Sequence, residues 1–430
     1  MISRRSFFSS AASLAGAFGL SSFTHKNKVN GISDALLNLQ KLNPEEAIHD
    51  EDFWNQIHQA YTVSPNFINL NNGGVSPQPK IVQDAVDRYY HLSNEGPSYY
   101  MWRIVDEARE AIRLKLSELT GSSPETLAVN RNATEALDTV IFGMPLQKGD
   151  EVVATKQDYP NMINAWKQRE RREEIKIEWI NLEMPQENPQ KIIDAYIGAT
   201  TKKTRVWHIT HMINWNGQIL PVKELCAEAR KRNIRTVVDG AHTFAHIVFN
   251  LEEMGCDYFG TSLHKWLCAP FGTGMLYMRK ELIADTYPLI PHHEPQSADI
   301  RKFEMLGTRS FAPEQAIGHA VNFQQAIGSK LKEDRLRYLK NYWCLKVKDH
   351  PKIELGSTIH DKYSCAIALV SVKGLTPGEL SNKLHKEHKI HTTSVVWENI
   401  SGVRVTPHVY TRTKDLDRFI NALITIADET

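Results

Sequence analysis

From Thr126 onward the chain alternates short apolar runs with amphipathic stretches. Residues 127–129, 151–154, 177–180, 205–210 and 235–238 read as strands. Between them, residues 134–142 set Ala136, Leu137, Val140 and Ile141 on one helical side, and residues 222–232 show the helical period again. Parallel strands need a crossover, and a helix is the usual one. Strand and helix in alternation therefore predict an α/β fold, with a mostly parallel sheet covered on both faces. Upstream, Asp50-Glu51-Asp52-Phe53-Trp54 opens a helix, Asn69-Leu70-Asn71-Asn72-Gly73-Gly74 is a turn, and residues 80–90 are helical. Beyond Glu314 the pattern gives long helices and then strands near 366–372 and 402–406, a smaller α+β domain. The run 167–174 holds four basic and three acidic residues and reads as a solvated helix face.

Composition narrows the class. The chain has 430 residues, enough for two or three domains at roughly 150 each. Its 51 basic and 50 acidic residues leave a net charge of +1, so no overall field recruits nucleic acid or an anionic membrane. Apolar content of 41% fits an ordinary globular core and excludes a disordered, fibrous or polytopic membrane chain. The five cysteines (Cys226, Cys256, Cys268, Cys344, Cys365) are odd in number and form no C-x-x-C pair, which argues for buried free thiols over a disulfide framework.

The N-terminus reads as an address. Met1-Ile2-Ser3-Arg4-Arg5-Ser6-Phe7-Phe8 precedes a small apolar run at 11–20, the layout of a secretory signal. About ten apolar residues are too few to span a bilayer, so no stable membrane anchor is expected. The Arg pair followed by Ser-Phe-Phe resembles a twin-arginine signal, which predicts the twin-arginine export machinery as a partner and a periplasmic location. The expected division is a signal segment at 1–28, an N-terminal helical segment at 29–65 packing with the small domain, a large cofactor-binding domain at 66–300, and a small α+β domain at 301–430.

The densest chemistry lies in residues 204–279. Val237-Val238-Asp239-Gly240-Ala241-His242 ends an apolar strand on an aspartate, and Thr261-Ser262-Leu263-His264-Lys265-Trp266 follows. The carboxyl edge of an open α/β sheet is where such folds bind ligands. A lysine in a partly desolvated turn has a depressed pKa and suits Schiff-base chemistry. The Gly272/Gly274 pair lacks the helix-opening third glycine of a dinucleotide site. His292-His293, beside Glu294, are adjacent residues that point different ways in a loop marked by Pro291 and Pro295, and His208 and His211 have no evident third ligand, so no metal is expected.

As a set, these motifs resemble the class V aminotransferases. These are fold-type I enzymes that use pyridoxal 5'-phosphate, a group that includes cysteine desulfurases, kynureninase and isopenicillin N epimerase; Val-Asp-Gly-Ala-His and Gly-Thr-Arg are nearest the epimerase-like branch. The likeness runs from about Asn66 to the C-terminus. It implies a large domain built on a seven-stranded sheet, with a smaller α+β domain behind it. Lys265 matches the lysine of the internal aldimine, and Asp239 the carboxylate that keeps the pyridine nitrogen protonated. His242 and Asn214 match groups near the phenolic oxygen, and Tyr159 matches the aromatic that stacks on the ring. Thr134 with the amide of Ala133, at a helix N-terminus, matches the phosphate cradle; Ser262 and His264 match further phosphate ligands. Thr308 matches a threonine that reaches the neighbouring subunit's phosphate, which implies a homodimer with shared active sites. Arg404 matches the arginine that binds the substrate α-carboxylate. Tyr410-Thr411-Arg412 stands where relatives carry Tyr-Asn-Thr.

The resemblance implies a small amino-acid substrate and chemistry at its α-amino group or Cα, as an epimerase or an aminotransferase. Residues 390–403 contain no cysteine, and Cys365 lies 39 positions before Arg404, which weighs against desulfuration. β-Lyase chemistry and a catalytically silent binding protein remain as alternatives. Twin-arginine export moves folded proteins, so a loaded cofactor would travel with the chain.

Overall fold

A computed structural model describes residues 43–430. The signal segment and residues 29–42 of the segment after it lie outside the described residues. Asn43 caps a first helix, Pro44–His49, through a capping box with Glu46. Asp50 caps the next, Glu51–Gln59, by accepting from the Asp52 and Phe53 amides. That helix buries Phe53, Trp54 and Ile57 in a cluster with Trp266, Phe323, Leu336, Ile367, Val409 and Tyr410. It therefore packs at the seam of both domains rather than on the small one alone. Within it, Arg335 stands 5.1 Å over the Trp54 ring and 2.6 Å from the Glu51 carboxylate.

A short strand, β1 (Ile68–Asn69), precedes the large domain. Seven strands then form the main sheet: β2 (Leu127–Asn130), β3 (Glu151–Thr155), β4 (Lys176–Ile180), β5 (Thr204–Thr210), β6 (Arg235–Asp239), β7 (Tyr258–Ser262) and β8 (Gly274–Met278). Their order is β2-β8-β7-β6-β5-β3-β4. All pairings are parallel except those of β8, which runs antiparallel to both β2 and β7. β2, β3, β7 and β8 are buried along their whole length, as strands covered by helices on both faces must be. Register sets Thr210 beside Asp239 and Asp239 beside Gly260, so the carboxyl ends of β5, β6 and β7 share one edge. Gly274 sits where a Cβ would lie 2.6 Å from the Asn132 backbone, so a side chain there would push back the start of the helix Ala133–Gly143.

The small domain holds an antiparallel sheet of β9 (Ile353–Leu355), β10 (Ala368–Val372), β12 (Thr393–Trp397) and β13 (Ile400–Val405). The strand β11 (Ile390–His391) pairs in parallel with β1. Helices Ser329–Val347 and Thr413–Glu429 close its core through Leu339, Trp343, Phe419 and Leu423. The helix Ala312–Ile327 instead packs Ala316, Ile317 and Ala320 into the large-domain core with Val82, Ala85 and Ile112. The chain thus changes cores at Gly328, later than the 300/301 division read from sequence.

One side chain contradicts its sequence reading. Arg169, expected on a solvated helix face, is 2% exposed, and its guanidinium donates to the carbonyls of Ile141 and Met144. It satisfies the C-terminal end of a neighbouring helix, where carbonyls lack intrahelical partners. The five cysteines are buried and free. Among the described residues, no helix is long and apolar enough to cross a membrane.

Candidate active site

At the shared edge of β5–β7 lies a cavity of about 470 Å³. Ten of the eleven residues singled out from sequence line it: Ala133, Thr134, Tyr159, Asn214, Asp239, His242, Ser262, His264, Lys265 and Arg404. The eleventh, Thr308, is exposed and does not line the cavity. A larger cavity of about 820 Å³ abuts the first and shares Gly74 with it, but contains neither Lys265 nor Asp239.

Lys265 lies in the turn after β7. Its Nζ is 3.1 Å from His242 Nε2 and 6.0 Å from the centre of the Tyr159 ring. Burial first, and then the Arg404 cation, bring its pKa down to about 8 against the pull of Asp239. A substantial fraction of the amine is therefore neutral near physiological pH. Asp239 ends β6, 5% exposed, and its Oδ1 accepts the Ala241 amide at 2.8 Å. Burial and the neighbouring Asp158 carboxylate push it above the usual carboxylate range. A cation brought against it relieves both effects.

The helix Ala133–Gly143 aims its N-terminus at the same cavity, with Asn132 as its cap. The Ala133 amide donates to Ser262 Oγ at 2.9 Å rather than standing free for an anion. That bond ties the end of β7 to the helix start, and Thr134 and Ser262 both line the cavity there.

Arg404 rises from β13, 6% exposed. Its Nη1 donates to the Asn214 carbonyl and its Nη2 to Asn71 Oδ1, both at 2.9 Å, while Nε is buried without a partner. Among the described residues no carboxylate pairs with it. Burial lowers its pKa to about 10, so the site holds a costly cation that an anion would relieve.

Sequence reasoning left several contributors unassigned. Asn71, noticed only as part of a turn, is one arm of the Arg404 clamp. Trp215 and Thr393 line the cavity, and Trp215 stacks on Trp397 with ring centres 5.3 Å apart. Trp397 in turn donates to the Lys156 carbonyl, so the β12–β13 hairpin is pinned over the large domain. His208, set aside as a metal ligand, lies 2.7 Å from the Asp158 carboxylate. His211 is buried in an aromatic contact with Phe249, and burial takes its pKa down to about 3. The aspartate directly before Tyr159 was the one available signal for this pair.

The residues present suit pyridoxal phosphate. Beyond the charges already described, Thr210 Oγ1, Asn214 Oδ1 and His264 Nδ1 are buried without partners on residues that line the same cavity. Such unmet groups are rare unless a ligand satisfies them. The profile of the aminotransferase class-V family matches residues 68–419. The chain belongs to that family. It is therefore an enzyme of a pyridoxal-phosphate-dependent class, on the fold that the sequence reading expected. Isopenicillin N epimerase from Streptomyces clavuligerus is 28% identical over 396 residues, which span 87% of this chain and 99% of that protein. The enzyme of the same name from Amycolatopsis lactamdurans is 27% identical over 86% of this chain and 98% of its own. Among solved structures, a cysteine desulfurase from Thermococcus onnurineus NA1 superimposes with a TM-score of 0.78 at 20% identity, over 87% of this chain and 98% of that one.

Proposed function

We propose that this class V enzyme acts on a free amino acid at Cα, inverting the centre or moving its amino group, after export to the periplasm as a folded homodimer. The observation that carries the reading is Arg404, a buried guanidinium with no carboxylate partner among the described residues, across one cavity from the Lys265 amine, whose pKa is lowered to about 8. Bound pyridoxal phosphate supplies an electron sink for negative charge at Cα. The chain supplies the rest. Arg404, braced by Asn71 and the Asn214 carbonyl, binds the α-carboxylate in a fork. Lys265, whose amine has a pKa lowered to about 8, would hold the cofactor and serve as the base at Cα. Asp239 would pair with the cofactor's ring nitrogen, and Tyr159 and Trp215 line the same cavity.

Thiol chemistry has no support. None of the five cysteines lines the cavity, and burial pushes the Cys365 thiol up to about 12. A silent binding role has no need for a base, a sink partner and a carboxylate anchor together.

Dimer formation is supported by exposed apolar side chains, with Tyr99, Trp102 and Ile104 on one segment and Met305 three residues from Thr308. Such surface on a soluble chain is usually covered. The export reading rests on Arg4-Arg5 and the apolar run after it.

The test is a visible absorbance spectrum of the purified protein with pyridoxal phosphate, repeated for Lys265→Ala and with a panel of L- and D-amino acids in deuterated water. Deuterium at Cα with loss of optical purity supports inversion, and a keto acid product supports transfer. No lysine-dependent band would overturn the whole reading.

A further inference from the structure

Behind Lys265 an indole is locked by imidazoles. Trp266 is fully buried, and the His246 ring stacks on it with centres 3.6 Å apart and planes 15° apart. His408 stacks on the same indole at 5.4 Å and 13°. His246 is itself pinned: its Nδ1–H donates to the His242 carbonyl at 2.7 Å, and its Nε2 accepts the Ala366 amide at 2.9 Å. The Trp266 carbonyl accepts from Lys332, whose Nζ also donates to Gln324 Oε1 at 2.6 Å. With ring and backbone both held, the indole's single donor, Nε1–H, goes to His242 Nδ1 at 3.4 Å.

That bond decides where the His242 proton sits. A ring nitrogen that accepts a hydrogen bond carries no proton, so a neutral His242 keeps its proton on Nε2. The ring is neutral, since burial, Lys265, Arg404 and His246 all drive its pKa well down. Nε2 lies 3.1 Å from Lys265 Nζ. A neutral amine has a lone pair to accept that proton, and an ammonium has none.

We propose that Trp266 is a positioning residue for Lys265, holding His242 as the Nε2–H tautomer so that its proton always faces the lysine amine and favours the uncharged nucleophile. The consequence for catalysis rests on Lys265 being the cofactor lysine, whereas the tautomer belongs to the chain alone. The groups facing Lys265 are Asp239 from β6, His242 from the loop after it, Arg404 from β13, and the ring of Tyr159, the residue just before the helix Pro160–Glu173. Of these, Asp239 favours the ammonium, and Arg404 and the presented Nε2–H oppose it.

The experiment uses the full chain labelled with ¹⁵N-histidine, before and after pyridoxal phosphate is added. The His242 resonances are assigned by their loss in His242→Gln. Wild type is expected to show a proton-free Nδ1 and a protonated Nε2 in both states. Trp266→Phe keeps an aromatic ring but removes the N–H. In that variant the Nδ1–H form is expected to appear, and the Lys265 pKa, read from the pH dependence of its reductive methylation, should rise by about one unit. A packing role alone would move neither quantity. A proton on Nδ1 in wild type overturns the proposal, as does a Trp266→Phe variant with tautomer and lysine pKa unchanged. If Trp266→Phe does not fold, the wild-type spectrum decides alone. Failure of Lys265 to bind pyridoxal phosphate, with the Nε2–H tautomer present, would overturn the functional reading and leave this one standing.

Discussion

The Asp158 carboxylate and the His208 imidazole lie 2.7 Å apart, both almost completely buried, under the edge of the sheet that ends in Asp239. Burial disfavours a charged His208, but the Asp158 anion outweighs it and leaves the pKa raised. The pair thus puts a negative and a positive group within electrostatic reach of Asp239, with opposite effects on its proton.

A buried pair is costly to break from one side. Asp158→Asn is expected to lose about 3 kcal/mol of stability. Since the folded pKa of His208 is raised, the pair's contribution is complete below the unfolded value near 6.5 and fades as pH climbs through the folded value. Denaturant unfolding of both proteins between pH 6 and pH 9 should show the gap narrowing as pH rises. A constant gap would place the loss in packing.

Lys265 has the opposite sign. Its pKa falls to about 8 on folding, so between about 8 and 10.5 the unfolded chain binds more protons, and wild-type stability rises with pH. Lys265→Met removes a disfavoured cation. It is expected to be more stable than wild type at pH 7, on the order of 2 kcal/mol, with the advantage vanishing toward pH 10.5. Thermal unfolding across that range checks the slope, and the variant should show no cofactor-dependent band.

Arg404 and Asn71 should separate carboxylate binding from cofactor binding. Arg404→Gln is expected to cut kcat/KM for the amino acid about 100-fold or more, mainly through KM, while the cofactor band survives. Asn71→Ala leaves the cation in place but frees Nη2, for an expected loss of about fivefold. Steady-state kinetics beside the absorbance spectrum distinguish the two.

Trp102 and Thr308 test the proposed dimer. Trp102 is 52% exposed. Trp102→Glu is expected to shift sedimentation toward monomer and to lower cofactor affinity with it. Thr308→Ala should weaken cofactor binding without changing the dimer, as equilibrium dialysis would show. Unaltered affinity in Thr308→Ala would remove that residue from the shared site.

Much of this protein was legible before any fold was drawn. Strand and helix periods from β2 to β6 follow from side chains that must be buried on one or both faces. Lys265 and Asp239 stand out locally, as a lysine in a dry turn and a carboxylate at a strand end, and the family resemblance adds Thr134 at a helix N-terminus. The antiparallel entry of β8 was not legible, since strand direction is set by the partner and not by the strand's own residues. Nor was the Arg404 clamp, because Asn71 and Arg404 are 333 positions apart. Arg169 read as solvated because a charge pattern cannot show which carbonyls a neighbouring helix leaves open. The tautomer of His242 depends on an indole held by His246, His408 and Lys332, and the last two come from distant parts of the chain. Residue identity and local period determine which groups a chain owns and which element carries each. Long-range packing alone decides which of them meet, because only the closed core excludes water and gives each proton a single place to go.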